Sequence, residues 1–340
     1  MSLSHPTVLP PLADLIDSCV PVELPLHTRF RGVVSRQAAL FRGVKRWSEF
    51  APFLEYPPPE AAHWLAAAIE YGWSQLPAPL RKNIPVNGTI PAVTPELVPK
   101  TVARFTGCEV FKIKVAEPGQ DLTCDVARVD AVRREVGEGI QLRLDANGAW
   151  DVATALRSIQ ELARFGLDYV EQPCASVAEL AELRERLDQA GCPVKIAADE
   201  SVRKAADPLR VARLGAADLL VVKAAPLGGI SRALAIVSEA GLPVVVSSAL
   251  DTSVGIGMGL RLAAVIPDRL FYGACGLATA QFLAADVVSS PLTPVGGSIP
   301  VTAPVCDTEP LSAAALTGQE REKWLRRVTE CYKLLETRAG

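Results

Sequence analysis

The chain has 340 residues, of which 49% are hydrophobic and 21% charged, and its net charge is −3. This composition is typical of a globular protein with a large core and excludes a disordered chain. The slightly acidic balance comes without a basic segment, so we expect neither nucleic acid nor an anionic membrane as a partner.

The first 84 residues differ in pattern from the rest of the chain. Polar and apolar residues alternate in segments 22–26 and 33–41, which predicts antiparallel strands. The run 59–73 predicts a helix that begins with proline and glutamate. Strands followed by a helix favour a small α+β unit, and the proline-rich segment 76–79 is its predicted linker to the next unit.

From residue 86 onward, short apolar runs alternate with amphipathic helical segments such as 154–164, 177–187, 208–214 and 230–239. Eight runs are candidate strands: 86–90, 110–115, 141–145, 168–171, 195–199, 218–223, 243–248 and 271–276. Strands that each cross over through a helix are the pattern of a closed parallel barrel. An open doubly wound sheet is the alternative, but a glycine-rich phosphate loop normally follows its first strand, and only Gly88 occurs there.

The predicted fold is therefore α/β, a (β/α)7β TIM-like barrel with an N-terminal α+β capping domain. A helix predicted at about residues 318–335 is expected to pack back on the first unit and complete it. We predict the capping domain over residues 1–84, the barrel over 85–300 and the C-terminal segment over 301–340.

Polar side chains recur at the ends of the predicted barrel strands, spaced 24 to 31 residues apart. They are Lys112 and Lys114, Asp145, Glu171, Asp199, Lys223, and Ser247 with Ser248. Side chains at the carboxyl ends of barrel strands point into the mouth, where active sites of this architecture lie. Alternation along the strands agrees, because both lysines of 111–115 fall on one face and the apolar residues on the other.

Three carboxylates that meet in a partly dry mouth repel one another unless a cation compensates them. Oxygen ligands from Asp145, Glu171 and Asp199 suit Mg²⁺, with Mn²⁺ as the alternative, better than zinc or copper. Each carboxylate taken alone could be a loop ion pair or, for Asp199, a helix cap. Their convergence favours a metal site.

The lysines predict proton transfer. A lysine buried beside a metal and another cation should have a lowered pKa, which suits a general base. Lys114 and Lys223 stand four strands apart, so a substrate between them would present its α-proton to one and face the other. Lys112 could instead simply neutralise the carboxylates.

Absent patterns exclude other chemistries. The three histidines, His5, His27 and His63, all precede the predicted barrel, which excludes a histidine base or metal ligand in the mouth and a serine–histidine hydrolase. The eight cysteines form no Cys-x-x-Cys pair, so neither a zinc clip nor a redox pair is expected. Scattered cysteines, the lack of a secretory signal and the lack of an apolar run of about 20 residues predict a cytoplasmic protein.

Five motifs in this order resemble the enolase superfamily, specifically its muconate-lactonizing subgroup. They are Lys112-Ile113-Lys114, Leu144-Asp145-Ala146-Asn147, Val170-Glu171-Gln172-Pro173, Ala198-Asp199-Glu200-Ser201 and Val222-Lys223. The segment 47–52 resembles the Trp-Gly-Glu segment of the capping domain, with Ser48 in place of glycine. The resemblance covers nearly the whole chain.

Within the subgroup, segments 115–120, 224–231 and 246–251 and the short loop 29–32 resemble the o-succinylbenzoate synthase family of the actinobacterial type. This resemblance implies a lyase of menaquinone biosynthesis. Such an enzyme dehydrates 2-succinyl-6-hydroxy-2,4-cyclohexadiene-1-carboxylate to 2-succinylbenzoate with syn geometry, through a metal-stabilised enediolate.

The resemblance also implies roles for single residues. Lys114 would remove the proton and then protonate the leaving hydroxyl, Lys223 would stabilise the developing charge, and the three carboxylates would hold Mg²⁺. The residues implied for substrate binding are Lys112, Asn147, Ser247, Ser248, Gly276 and Arg31. For the two serines, a role as polar loop caps is an equal alternative.

Other functions stay open at this point. A racemase of N-acylamino acids or a dipeptide epimerase would use the same metal and lysines, and a non-catalytic barrel would leave five ionisable groups without a purpose. The expected partner is a small carboxylate substrate. The sequence does not decide the oligomeric state, although a monomer is compatible with it.

Overall fold

The computed structural model describes residues 9–30, 32–203 and 207–339. Arg31, one of the predicted substrate-binding residues, lies outside the described residues. None of the helices in these ranges is long and apolar enough to cross a lipid bilayer.

The N-terminal unit is a three-stranded antiparallel sheet covered by one helix. Its elements are α1 (Leu12–Asp17), β1 (Cys19–Phe30), β2 (Val33–Arg42), β3 (Trp47–Phe50) and α2 (Pro58–Trp73), and the strands lie in the order β1-β2-β3. Two strands and the helix match the sequence prediction. The third strand was not predicted, because its four residues are too short to show an alternating pattern.

The central sheet has seven parallel strands in sequential order. The elements after α2 are β4 (Asn83–Pro85), β5 (Gly88–Ile90), α3 (Val98–Val102), β6 (Val110–Lys114), α4 (Leu122–Val136), β7 (Gln141–Asp145), α5 (Val152–Leu162), β8 (Leu167–Glu171), α6 (Val177–Gln189), β9 (Lys195–Ala198), α7 (Glu200–Arg203), α8 (Arg210–Arg213), β10 (Leu219–Val222), α9 (Ala224–Leu227), α10 (Ile230–Ala240), β11 (Val244–Val246) and α11 (Ser253–Val265). The sheet runs from β5 to β11 and alternates with helices, as the predicted barrel requires.

The eighth predicted run, residues 271–276, closes the barrel without forming a continuous strand. Isolated parallel bridges join Phe271 to Val244, Gly276 to Ser247, and Cys275 to Val86. The segment is interrupted because Gly273 has a positive φ of 63°, which an extended strand does not allow. The two edges of the sheet are thereby linked, and the barrel architecture is confirmed.

The inward and outward faces of the strands follow the predicted alternation. Leu219 and Val221 pack with Tyr169 in a small cluster, while Leu220 and Val222 belong to the main core. An ion pair lies beside this cluster in the lower part of the barrel: Arg143 Nε is 2.9 Å from an oxygen of Asp168, and the guanidinium lies over the Tyr169 ring. The interior below the strand ends is thus filled, which leaves the mouth as the place for a ligand.

The C-terminal part returns to the first unit. It comprises β12 (Ser298–Pro300), which pairs with β4, then α12 (Thr308–Ala314) and α13 (Gly318–Ala339). Trp324 on α13 packs edge-on against Phe50 at 5.8 Å between ring centroids, and its indole donates to Gln37 Oε1 at 2.9 Å. The predicted return of the C-terminal helix is seen here, while the domain boundaries at residues 84 and 300 stay a prediction.

Candidate active site

An open pocket lies at the carboxyl ends of the barrel strands. Of the eleven site residues predicted from the sequence, the ten that the structure describes all line this pocket: Lys112, Lys114, Asp145, Asn147, Glu171, Asp199, Lys223, Ser247, Ser248 and Gly276. The strand-end rule therefore brings together residues that are more than 160 positions apart in the chain.

Strand register places the first charged residues side by side. Lys114 pairs with Asp145 across β6 and β7, and Asp145 pairs with Glu171 across β7 and β8. Paired residues of neighbouring strands lie about 5 Å apart, so the two carboxylates are immediate neighbours. The two lysines of β6 face them, because residues 112 and 114 point to the same side of the strand.

The lysines of β6 divide these carboxylates between them. Lys112 Nζ lies 2.8 Å from Glu171 Oε2 and 3.2 Å from Asp145 Oδ2. Lys114 Nζ lies 2.6 Å from Asp145 Oδ2 and donates to Asn147 Oδ1 at 2.7 Å. Among the described residues, both lysines therefore contact Asp145, while Lys112 alone contacts Glu171.

The third carboxylate has cations of its own. Asp199 Oδ1 lies 2.5 Å from Lys223 Nζ and 3.1 Å from Arg203 Nε. Arg203 also contacts Glu200 Oε1 at 2.6 Å, so α7 carries a compact charge cluster next to the pocket. Asp199, Lys223 and Arg203 are all buried. Burial without such pairing would cost several kcal/mol for each charge, roughly, so the charges stabilise one another.

These pairings shift the pKa values in different directions. Burial alone would lower the pKa of Lys112, but the charges of Glu171 and Asp145 outweigh it and raise that pKa well above its usual value. Burial and the nearby Arg203 lower the pKa of Lys223 in spite of Asp199. The expected fall in lysine pKa therefore holds for Lys223, whereas Lys112 shows the opposite because two carboxylates face it.

The pKa values of the three carboxylates also shift in different directions. Burial and the charge of Asp145 raise the pKa of Glu171 to about 7. Burial alone would also raise the pKa values of Asp145 and Asp199. The positive charges of their lysine partners outweigh burial, so both pKa values are lowered. Glu171 is therefore the carboxylate that most lacks a compensating positive charge.

The loops that follow the strand ends contain residues with a strained backbone, and side-chain contacts hold them in place. Among non-glycine residues, Ala116, Asn147, Gln172 and Leu250 have a positive φ, and each follows a barrel strand by one to four residues. Such conformations cost about 1 to 3 kcal/mol each and persist only where the surroundings hold them. Gln172 illustrates how, since its Oε1 accepts from the backbone N–H of Asp199 at 3.0 Å and of Ser201 at 3.1 Å. One side chain thus ties the Glu171 loop to the Asp199 loop.

The opposite wall of the pocket is formed by Ser247, Ser248 and Gly276. The Ser248 hydroxyl donates to the carbonyl of Gly276 at 2.6 Å and lies 2.8 Å from Thr279 Oγ1. A Cβ at Gly276 would lie 2.7 Å from Ser247 Oγ, so a larger residue there would displace the Ser247 hydroxyl. Ser248 is therefore already engaged within the wall.

Seven further residues line the pocket that sequence reasoning did not assign to the site: Phe53, Thr89, Glu200, Arg203, Ala249, Leu250 and Thr279. Thr89 could have been found, since it lies on β5 and pairs in register with Lys112. Phe53 comes from the capping unit, and no strand-end pattern indicates it.

The residues present fit a hard divalent cation in their chemistry. Three carboxylates supply oxygen donors, and among the described residues the buried Glu171 Oε1 finds no hydrogen-bond partner. As they stand, no three His, Cys, Asp or Glu side chains in the described ranges are arranged to hold a metal, because the carboxylates are turned to the lysines. An unsatisfied carboxylate oxygen beside two other carboxylates is nevertheless a position that a cation would stabilise.

Comparison with known proteins identifies the family. Residues 98–304 match the model described as enolase C-terminal domain-like, and residues 21–72 match enolase N-terminal domain-like. The chain is 49% identical to the o-succinylbenzoate synthase of Mycolicibacterium smegmatis over 96% of the chain and 99% of that protein. The chain belongs to the o-succinylbenzoate synthase family of the enolase superfamily.

A second relative and a solved structure agree with this membership. The o-succinylbenzoate synthase of Thermobifida fusca is 54% identical over 82% of the chain and 85% of that protein. The muconate lactonizing enzyme from Pseudomonas putida has the same fold, with a TM-score of 0.72 at 20% identity over 88% of the chain and 98% of that structure. The o-succinylbenzoate synthases are enzymes, and enzymes of the enolase superfamily depend on a divalent metal.

Proposed function

We propose that this chain catalyses the Mg²⁺-dependent syn dehydration of 2-succinyl-6-hydroxy-2,4-cyclohexadiene-1-carboxylate to 2-succinylbenzoate. The observation that carries the proposal is that Lys114 and Lys223 line one pocket with Asp145, Glu171 and Asp199 in a chain of this family. In its pathway, the reaction belongs to menaquinone biosynthesis.

Lys114 is the proposed acid–base residue. Its amine removes the proton α to the substrate carboxylate and then donates that proton to the leaving hydroxyl, so water departs and the ring becomes aromatic. One group serves both steps because a syn elimination takes proton and hydroxyl from the same face. Asn147 Oδ1, at 2.7 Å from Nζ, holds the amine in position.

Lys223 is the proposed cation for the charge that develops on the substrate. It approaches from β10 while Lys114 approaches from β6, so a substrate between them has one lysine on each side. Asp145, Glu171 and Asp199 would hold Mg²⁺, or alternatively Mn²⁺. When bound, this ion supplies positive charge to the substrate carboxylate.

The remaining predicted residues have proposed roles in binding. Lys112, whose Nζ lies 2.8 Å from Glu171 Oε2 and 3.2 Å from Asp145 Oδ2, is proposed to orient these carboxylates and to contact the substrate. Ser247, Gly276 and Asn147 face the pocket, and with Ser248 they are proposed to contact the substrate. Arg31, which lies outside the described residues, stays a proposed substrate-binding residue.

The test follows the loss of the cyclohexadiene absorbance in purified protein. We expect full activity with Mg²⁺, none after EDTA treatment, and recovery on adding Mg²⁺ back. K114A should lower kcat by about 10²- to 10⁴-fold, as removal of a general acid–base group does. K323A is the matched control, because Lys323 is exposed on α13 and pairs only with Glu320. Full rate in K114A or in EDTA would refute the mechanism.

A racemase or epimerase of N-acylamino acids is the second candidate. The observation in its favour is that two lysines line one pocket from strands four apart, as proton transfer on both faces requires. Incubation with N-succinyl amino acids in deuterated water discriminates. Exchange of the α-proton without loss of the cyclohexadiene would favour the racemase, and the reverse result favours the dehydratase.

The compartment is also a proposal. All eight cysteines are free thiols, and most are buried. Unpaired thiols are typical of proteins in a reducing compartment, which supports the cytoplasm. The protein is proposed to act on its small-molecule substrate without nucleic acid or a membrane.

A further inference from the structure

A buried arginine of the capping unit, Arg36 on β2, contacts the pocket wall from behind. Its Nε donates to the carbonyl of Leu250 at 3.1 Å, and its Nη2 donates to the carbonyl of Ala249 at 3.3 Å. Nη2 also donates to the carbonyl of Ala51 in the capping unit. One guanidinium therefore joins the loop after β11 to the segment after β3.

The same guanidinium supports a ring that faces the pocket. Its central carbon lies 4.2 Å from the centroid of the Phe53 ring. Phe53, Ala249 and Leu250 all line the pocket, and Arg36 is only 4% exposed behind them. The stacking on Phe53 and the two contacts with the carbonyls of residues 249 and 250 thus fix the distance between Phe53 and this loop.

The backbone at Leu250 needs such support. Its φ is +64°, a conformation that side-chain-bearing residues rarely adopt. The Asp251 carboxylate accepts from the N–H of Ala249 at 3.1 Å, which tightens the turn locally. Because this turn is strained, its position depends on the groups that bind its carbonyls.

A second residue of the capping unit holds the next part of the loop. Glu49 on β3 accepts from the backbone N–H of Thr252 at 3.1 Å and from its hydroxyl. Within residues 249–252, Arg36 therefore binds two backbone carbonyls, and Glu49 binds a backbone N–H. The positive charge of Arg36 also offsets the buried carboxylates of Glu49 and Asp251.

We propose that Arg36 is a positioning residue for substrate binding, which sets the separation between Phe53 and residues 249–250. It does not touch the substrate itself. The wall lies after β11, whereas Lys114, Asp145 and Glu171 stand on β6 to β8. Displacing the wall weakens contacts with the non-reacting part of the substrate equally in the ground and transition states, so KM rises while kcat changes little.

The test is R36K with R133K as its matched control. A lysine keeps the charge beside Glu49 and Asp251 but cannot bind carbonyls on both sides and stack on a ring. Arg133 is also buried and binds the carbonyls of Gly137, Ile140 and Phe165, away from the pocket. We expect R36K to raise KM about tenfold, as lost hydrogen bonds do, with kcat within about threefold of wild type. R133K should lower the melting temperature without changing KM.

Two results would overturn the proposal. One is an unchanged KM in R36K with a melting temperature lowered as in R133K, which is what a purely structural arginine gives. The other is a fall in kcat at constant KM. If R36K does not fold, R36Q, which keeps N–H donors but is too short to bind carbonyls on both sides, is measured in its place with the same expected rise in KM.

The KM measurement rests on the proposed function, so a second measurement separates the two. Backbone hydrogen exchange of residues 249–252 needs no substrate. We expect exchange about tenfold faster in R36K and unchanged in R133K. Faster exchange together with an inactive wild type would refute the proposed function and leave the role of Arg36 standing, while equal exchange in both variants would refute the role of Arg36.

Discussion

Glu70 stabilises a barrel helix from the capping unit, and its removal should be costly. Its carboxylate accepts from the N–H groups of Ile230 and Ser231, the latter at 3.0 Å, at the start of α10. Glu70 is buried, and a Cβ at Gly229 would collide with it. The side chain thus occupies the place where a helix N-terminus attracts an anion.

The magnitude follows from these contacts. A hydrogen bond to a charged group contributes about 1.5 to 3 kcal/mol, and the helix dipole adds about 0.3 to 1 kcal/mol. E70A leaves the N–H groups of Ile230 and Ser231 without this acceptor, and the two bonds with the dipole sum to about 3 to 7 kcal/mol. Because water can reach the half-buried N–H of Ser231, we expect a loss at the lower end, about 3 kcal/mol. For 340 residues this corresponds to a fall of about 4 °C in melting temperature. E70Q keeps one acceptor and should fall between wild type and E70A.

Thermal unfolding followed by circular dichroism measures the effect. E161A is the control, because Glu161 on α5 is 45% exposed and pairs only with Arg164, so its loss should cost under about 0.5 kcal/mol. A melting temperature of E70A equal to that of E161A would refute the reasoning. So would an E70Q variant less stable than E70A.

Three further predictions concern the site and the interface around it. G276A should raise KM several-fold with little change in melting temperature, because the added Cβ would lie 2.7 Å from Ser247 Oγ; steady-state kinetics check this, and an unchanged KM contradicts it. Mg²⁺ at 100 times its dissociation constant should raise the free energy of unfolding by about 2.7 kcal/mol in wild type and by much less in E171Q, measured by denaturant titration. Burial and Asp251 raise the pKa of Glu49 to about 8 from 4.5, so the folded state holds the proton longer. Stability should therefore fall as pH rises from about 4.5 to 8, and E49Q should flatten that slope; a steeper slope in E49Q would contradict it.

The charged residues of the barrel mouth could be predicted from the sequence because they obey a local rule. Lys114, Asp145 and Glu171 each end a strand, and parallel strands bring their ends to one edge. The apolar runs that precede them identify the strands without knowledge of the rest of the chain. Only the final run, 271–276, behaves differently, and Gly273 explains why.

The residues that reasoning from sequence did not find depend on contacts between units. Arg36 and Glu70 are a strand and a helix residue of the capping unit, yet each binds barrel residues more than 150 positions away. Nothing in the pattern around them distinguishes an arginine that binds backbone carbonyls in the interior from one on the surface. The pKa of Lys112 shows the same limit, because its sign depends on which carboxylates the neighbouring strands deliver.

The strand-end residues and the residues at the contact between the two units have different proposed roles. The groups proposed for chemistry lie on β6 to β8 or directly after β9 and β10, so barrel elements carry all of them. The part of the pocket formed by Phe53 of the capping unit and residues 249–250 of a barrel loop is held by Arg36 and Glu49. Substitutions at the interface of the two units should accordingly change which substrate binds before they change how it reacts, because the proton-transfer groups do not move with the wall.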